Sequence, residues 1–127
     1  MENTCYACTE TKTAFTGSIS SFAIDSTKGA IRFIKKQPAA DANPVYLVVD
    51  KSNRFIVSGN YTEGNAAIFS TNRDGSILPC LQSIRFTGSS INKYRQEKPH
   101  IHSVFFSRVR LCVFPRFRCR QNTCIPL

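Results

Sequence analysis

Phe22-Ala23-Ile24, then Asp25-Ser26-Thr27-Lys28, then Gly29-Ala30-Ile31 is the stretch on which the fold turns. A short apolar run stops at four polar residues and resumes after a glycine, which supplies the positive φ such a turn requires. The same phrase returns downstream as Ile68-Phe69-Ser70, four turn residues, and Gly75-Ser76-Ile77, with the two glycines 46 residues apart. A second pair sets Asn43-Pro44-Val45-Tyr46-Leu47 against Lys98-Pro99-His100-Ile101-His102 at an offset of 55. Repeats of roughly 40–50 residues holding about four short strands each are the pattern of propeller blades. Two unrelated hairpins built from common turn chemistry remain the alternative at this point.

The sequence around these echoes also reads as strands. Gly17 to Ile24 alternates, with Ile19, Phe22 or Ala23, and Ile24 able to share a buried side if the strand is irregular. Ala30 to Lys36 resumes with Ile31 and Phe33 facing one way and Arg32 and Ile34 the other. Val45-Tyr46-Leu47-Val48-Val49 is too short for a helix and predicts a strand buried on both faces. Lys51-Ser52-Asn53 turns the chain into Arg54-Phe55-Ile56-Val57, and a polar loop over 60–64 leads into Ala66-Ala67-Ile68-Phe69. No window carries a 3.6-residue apolar stripe, so the chain is expected to be all-β.

Its 127 residues suit one domain, and 42% hydrophobic with 20% charged residues excludes a disordered chain. No apolar run reaches the ~18 residues of a membrane helix. Met1-Glu2-Asn3-Thr4 lacks the basic and apolar regions of a secretory signal, so a cytoplasmic location with no membrane partner is expected. The net charge of +9 suggests a nucleic-acid binder until it is divided along the chain. Arg108, Arg110, Arg116, Arg118 and Arg120 fall within the last twenty residues with no acid among them, and Cys112, Cys119 and Cys124 fall there too.

Asn43 to Asp50, then Gly59-Asn60-Tyr61-Thr62-Glu63-Gly64, then Asp74-Gly75-Ser76-Ile77 follow one another in an order that resembles the seven-bladed propeller lactonases. That family comprises the propeller-type 6-phosphogluconolactonases and related carboxymuconate cyclases. The most specific piece, Arg95-Gln96-Glu97-Lys98-Pro99-His100-Ile101-His102-Ser103-Val104, is similar to the family's Arg-Gln-x-x-Pro-His-x-His-Ser-Val segment. Phe15 to Phe22 resembles the start of an early blade. The resemblance runs from about Cys5 to Ser107 and implies a partial β-propeller, about two four-stranded antiparallel blades and the opening of a third. A full ring needs on the order of 300 residues, so the stretch is expected to be a fragment cut at both ends. Residues 1–107 then form an incomplete propeller domain.

Residues 108–127 depart from the family, which continues with a Pro-Asp-Gly turn and a strand ending in Asp-Leu-Gly. An acid-free run of Arg and Cys is what an out-of-frame reading produces. Pro115 to Ile125 can be written with codons that, one base later, spell Pro-Asp-Leu-Gly-Ala-Asp-Lys-Ile-His-Ala-Phe. The tail is therefore expected to be frameshifted, its basic surface accidental and its binding to polyanions weak and salt-dependent.

His100 and His102 stand two apart in an expected strand, which projects both to one face and Ile101 to the other. On an innermost strand that face lines the channel, where a neutral imidazole can take a proton from water attacking a lactone carbonyl. The spacing leaves open which of the two is the base. Arg95 is the expected anion partner, because a guanidinium holds carboxylate or phosphate in a fork, and Gln96 stands beside it in the motif. The resemblance also implies that Asn60 faces the cleft, in a loop with Tyr61 and Glu63 that is otherwise an ordinary turn. Glu10 is a further polar candidate. Cys5-Tyr6-Ala7-Cys8 has the spacing of a zinc or redox pair, but no second such pair completes a site, and incidental thiols are expected. Neither metal nor cofactor is implied.

These readings converge on a fragment of a sugar-lactone hydrolase, most specifically one opening 6-phospho-D-glucono-1,5-lactone in the pentose phosphate route. The fragment itself is expected to be inactive and prone to self-association, with no specific nucleic-acid partner. The alternatives are a small all-β module with a nucleic-acid- or anion-binding tail, and a thiol-rich metal protein.

Overall fold

The computed structural model describes residues 3–11, 13–40, 43–88, 94 and 97–107, and the backbone of the strands at 110–115 and 123–126. They form β1 (Asn3–Thr9), β2 (Ser18–Asp25), β3 (Ala30–Pro38), β4 (Pro44–Val49), β5 (Phe55–Asn60), β6 (Asn65–Thr71), β7 (Ile77–Arg85), β8 (Ile101–Phe106), β9 (Arg110–Pro115) and β10 (Thr123–Pro126). There are three antiparallel meanders, ordered β1-β2-β3, β4-β5-β6-β7 and β10-β9-β8. The architecture is all-β, as the strand patterns predict, and no helix among the described residues is long and apolar enough to cross a membrane.

Strand pairing identifies the repeat. Ala7 pairs with Ser20 where Gly59 pairs with Ala66, and Ser20 and Ala66 are again 46 residues apart. β1, β2 and β3 therefore correspond to β5, β6 and β7, and β8 and β9 correspond to β4 and β5. Neighbouring sheets meet in the same way: β4 lies against β8, β1 against β4 as β5 does against β8, and β3 against β7. That is a fan of blades in which β4 and β8 run innermost. The four-stranded sheet is the one complete blade among the described residues. The first sheet has β1 at its inner edge, one strand short of the four-stranded blade expected there.

The complete blade uses both faces. Ile56, Ala67 and Phe69 pack with Ile19, Ala39 and Ile77 into one core, while Val57 and Ala66 join Ile101 and Val104 in a second. β4 shares in both, with Leu47 and Val49 on the first and Val48 on the second. Its burial is only partial, and Tyr46 is exposed, because an innermost strand has no neighbour on its channel side. Gly59 sits at the closest approach of β5 to β8, where a Cβ would come within 2.8 Å of Ile101 Cγ2.

One local expectation is corrected, and one strand is added to those expected. β2 alternates regularly, burying Ile19, Ser21 and Ala23 and leaving Phe22 and Ile24 half-buried, and the irregularity falls on β3, where Ile34 is the extra residue between the Ser21–Lys35 and Phe22–Phe33 pairs. Asn3 to Thr9, with no apolar alternation to announce it, forms β1 by pairing along all of its length with β2.

Candidate active site

Four strands, β1, β3, β4 and β8, bring their ends together at one end of the fan. β1 ends there at Thr9, opposite Ser18, and β3 ends beside it, since Ser18 also pairs with Pro38. β4 starts at Pro44 opposite Asn60, and the Tyr61 amide donates to the Asn43 carbonyl at 3.0 Å. β8 starts at Ile101, immediately after His100.

The β5–β6 turn and the approach to β8 are fitted tightly. Gly64 has φ +64°, and a Cβ on it would lie 2.1 Å from the Pro99 carbonyl oxygen. Only glycine allows both the left-handed backbone and that approach. Lys98 Nζ lies 3.7 Å from Glu63 Oε1, which ties the same two segments at the surface.

His100 is held within this junction. Its Nδ1 lies 2.9 Å from the Tyr61 carbonyl, which can only accept, so Nδ1 carries the proton. The ring stacks on Tyr61 with centroids 4.5 Å apart and planes 17° from parallel, and Nε2 stands 3.5 Å from Glu97 Oε1. With its side chain 13% exposed, His100 has the Tyr61 carbonyl on Nδ1, a ring on one face and Glu97 beside Nε2, where an ion pair forms only when the imidazole is protonated. His102 differs. The β8–β9 register shifts between Ile101 and Ser103, and Ile101 and Val104 are buried on either side of an exposed His102. The regular alternation expected over 100–104 is thus broken, and the two histidines occupy unlike surroundings.

The remaining candidates divide. Asn60 is fully buried within β5, outside the loop expected for it. Its amide nitrogen donates to the Ala39 carbonyl at 3.3 Å and its oxygen accepts from Ser58, which fastens the start of the complete blade to the end of the first. Glu10 is exposed just beyond β1, at the same end of the fan as His100. Arg95 and Gln96 lie outside the described residues. The contributions of Glu97 and of the Tyr61 carbonyl were not legible in the sequence, because one occupies an unspecified motif position and the other is main chain.

Cys5, Cys8 and Cys80 are free thiols, and burial is the main influence raising the last two above the ordinary cysteine value. Cys5 and Cys8 are three apart on a strand, which directs them to opposite faces. Among the described residues no group of three His, Cys, Asp or Glu could hold a metal ion.

Residues 1–115 match the family described as Lactonase, 7-bladed beta-propeller. Over 102 residues, 80% of this chain and 29% of the relative, the chain is 35% identical to a 6-phosphogluconolactonase of Formosa agariphila. A 6-phosphogluconolactonase of Bacillus subtilis is 31% identical over 91 residues, 72% of this chain and 26% of the relative. The crystal structure of a candidate 6-phosphogluconolactonase from Bacteroides fragilis superposes with a TM-score of 0.81 at 31% identity, covering 88% of this chain and 31% of that one. The chain thus spans under a third of the length of these relatives.

Proposed function

The chain belongs to the seven-bladed β-propeller lactonase family, and from that premise we propose that it is a sector of a lactone hydrolase contributing the catalytic base. The substrate class is a sugar lactone, most specifically 6-phospho-D-glucono-1,5-lactone, acted on in the cytoplasm within the pentose phosphate route. Support for the substrate comes from the two 6-phosphogluconolactonases at 31% and 35% identity.

The observation that carries the assignment of roles is the contrast between the histidines. A general base needs a nitrogen within reach of water and substrate. His102 is exposed on an innermost strand, whereas His100 is 13% exposed, with Nδ1 bonded to the Tyr61 carbonyl, its ring stacked on Tyr61 and Glu97 standing in front of Nε2. His102 takes the proton from water as the oxygen attacks the lactone carbonyl, and returns it to the ring oxygen as the C–O bond breaks. The products are a hydroxyl and a carboxylic acid on one open chain, and the acid ionises to carboxylate, releasing its proton to solvent. His100 is a positioning residue, fixing the start of β8 against the Tyr61 turn. Arg95 is assigned to the anionic part of the substrate.

A cleft at a propeller's centre is assembled from several blades, so the isolated sector is proposed to be inactive. The test is to replace the matching 102 residues of the Formosa relative with those of this chain and to follow lactone hydrolysis by proton release. The grafted ring is expected to hydrolyse the lactone and the isolated chain to leave the spontaneous rate unchanged. A grafted ring that folds and is inactive overturns the reading.

A further inference from the structure

The end of the fan opposite the histidines holds a cleft of about 660 Å³ between the first sheet and the complete blade. Its charge balance follows from how three turns use their aspartates. Asp25 accepts from the Thr27 and Lys28 amides and the Thr27 hydroxyl. Asp50 accepts from the amides of Ser52, Arg54 and Phe55 and from the Ser52 hydroxyl. Asp74 accepts from the Ser76 amide. The carboxylates thus bond within their own turns, although the Asp74 charge still reaches Tyr6 on the cleft wall, and Arg54 and Arg73 line the cleft.

Arg54 is oriented from behind. Its Nε donates to Ser52 Oγ at 3.1 Å, Ser52 in turn donates to Asp50, and the guanidinium lies 5.7 Å from the Phe55 ring centroid. The bond at Nε leaves the Nη1/Nη2 edge for a second acceptor, and that edge can grip an oxyanion in a fork. Arg73 comes from the next turn, and Thr71 couples the two by donating its amide to the Arg54 carbonyl and its hydroxyl to the Asn53 carbonyl, at 3.0 and 2.7 Å. Tyr6 forms part of the opposite wall, and Ile24 and Val49 supply apolar surface. Burial raises the Tyr6 phenol above its ordinary value, with the Asp74 and Cys5 charges adding to it, so the hydroxyl remains a donor.

We propose that this cleft is a second binding site, for a small oxyanion ligand whose phosphate or carboxylate group sits between Arg54 and Arg73 and whose compact apolar body rests on Ile24 and Val49. It is separated from the histidine end by the length of β5, about 20 Å at ~3.3 Å per residue.

The test is a titration of the full chain with inorganic phosphate and, separately, succinate, at fixed ionic strength against chloride, followed by amide NMR shifts. Saturating shifts confined to Asn53, Thr71, Asn72 and Gly75 are expected with at least one anion. Saturation by phosphate alone assigns a phosphate ligand, by succinate alone a carboxylate ligand, and by both a general oxyanion site. Arg54→Gln and Arg73→Gln should each weaken binding at least tenfold, whereas Lys28→Gln, outside the cleft, should leave it unchanged. The guanidiniums are exposed, and the unshifted amides report that the variants stay folded. Non-saturating shifts spread over all cationic residues, or a Kd indifferent to Arg54→Gln, would overturn the proposal.

Discussion

His100 and His102 are two residues apart in one motif, yet one is clamped and the other stands in solvent. This difference makes separate predictions for them. His100→Ala removes the bond to the Tyr61 carbonyl and the stack on its ring. It is expected to cost about 1–2 kcal/mol of stability in the grafted ring, read as a lowered denaturation midpoint. Asp50 gives a pH-dependent prediction. Burial is the largest single influence and favours its neutral form, but the bonds from Ser52, Phe55 and Arg54 together hold the carboxyl below the ordinary 3.8. A depressed folded value means the contribution is complete above the unfolded pKa and is lost as pH falls through the folded one. Asp50→Asn should therefore cost about 1 kcal/mol at neutral pH and progressively less below 3.8, as urea melts at several pH values would show.

At the scale of elements, the load falls on the complete blade. Phe69 is fully buried where β6 meets the first sheet, and Phe69→Ala is expected to cost about 3–5 kcal/mol. That is comparable with the whole stability of a small domain, so loss of cooperative unfolding is the expected readout. Gly64→Ala forces a Cβ against the Pro99 carbonyl at the junction with β8. It should destabilise by more than 1 kcal/mol, while Gly29→Ala, with open space around it, should cost only the strain of its positive φ. Much of this was legible in the sequence. The paired Gly29 and Gly75 turns mark equivalent hairpins, and the two-sided apolar run at Val45–Val49 marks the strand shared by both cores. β1 was not legible, because Asn3 to Thr9 owes its extended form to pairing with β2 and carries no pattern of its own. The clamp on His100 was equally hidden, since its key acceptor is the Tyr61 main chain and no residue type encodes that. Asn60 misled for a related reason: a polar side chain beside a turn suggests solvent, and here it satisfies a buried carbonyl across two sheets.

The molecule as a whole is a sector of a ring. Ile31 and Phe33 on β3 and Leu81 on β7 are 66%, 56% and 60% exposed, on sheets whose outer and inner edges are open. Exposed apolar side chains beside unpaired strand edges favour association. Sedimentation is expected to show self-association that grows with concentration, and a strictly monomeric chain would count against it. The family match runs to residue 115, eight residues past Ser107, where the resemblance is expected to end. For the out-of-frame reading of 108–127, a DNA read through Pro115 to Ile125 is expected to recover the Asp-Leu-Gly continuation in the neighbouring frame. The most direct test of the central claim is kcat for lactone hydrolysis by the grafted ring carrying His102→Ala or His100→Ala. A fall of about 10²–10⁴-fold is expected for His102→Ala, and less than about tenfold for His100→Ala once the variant is folded. Full activity in the His102→Ala ring, with activity lost on His100→Ala, would contradict it.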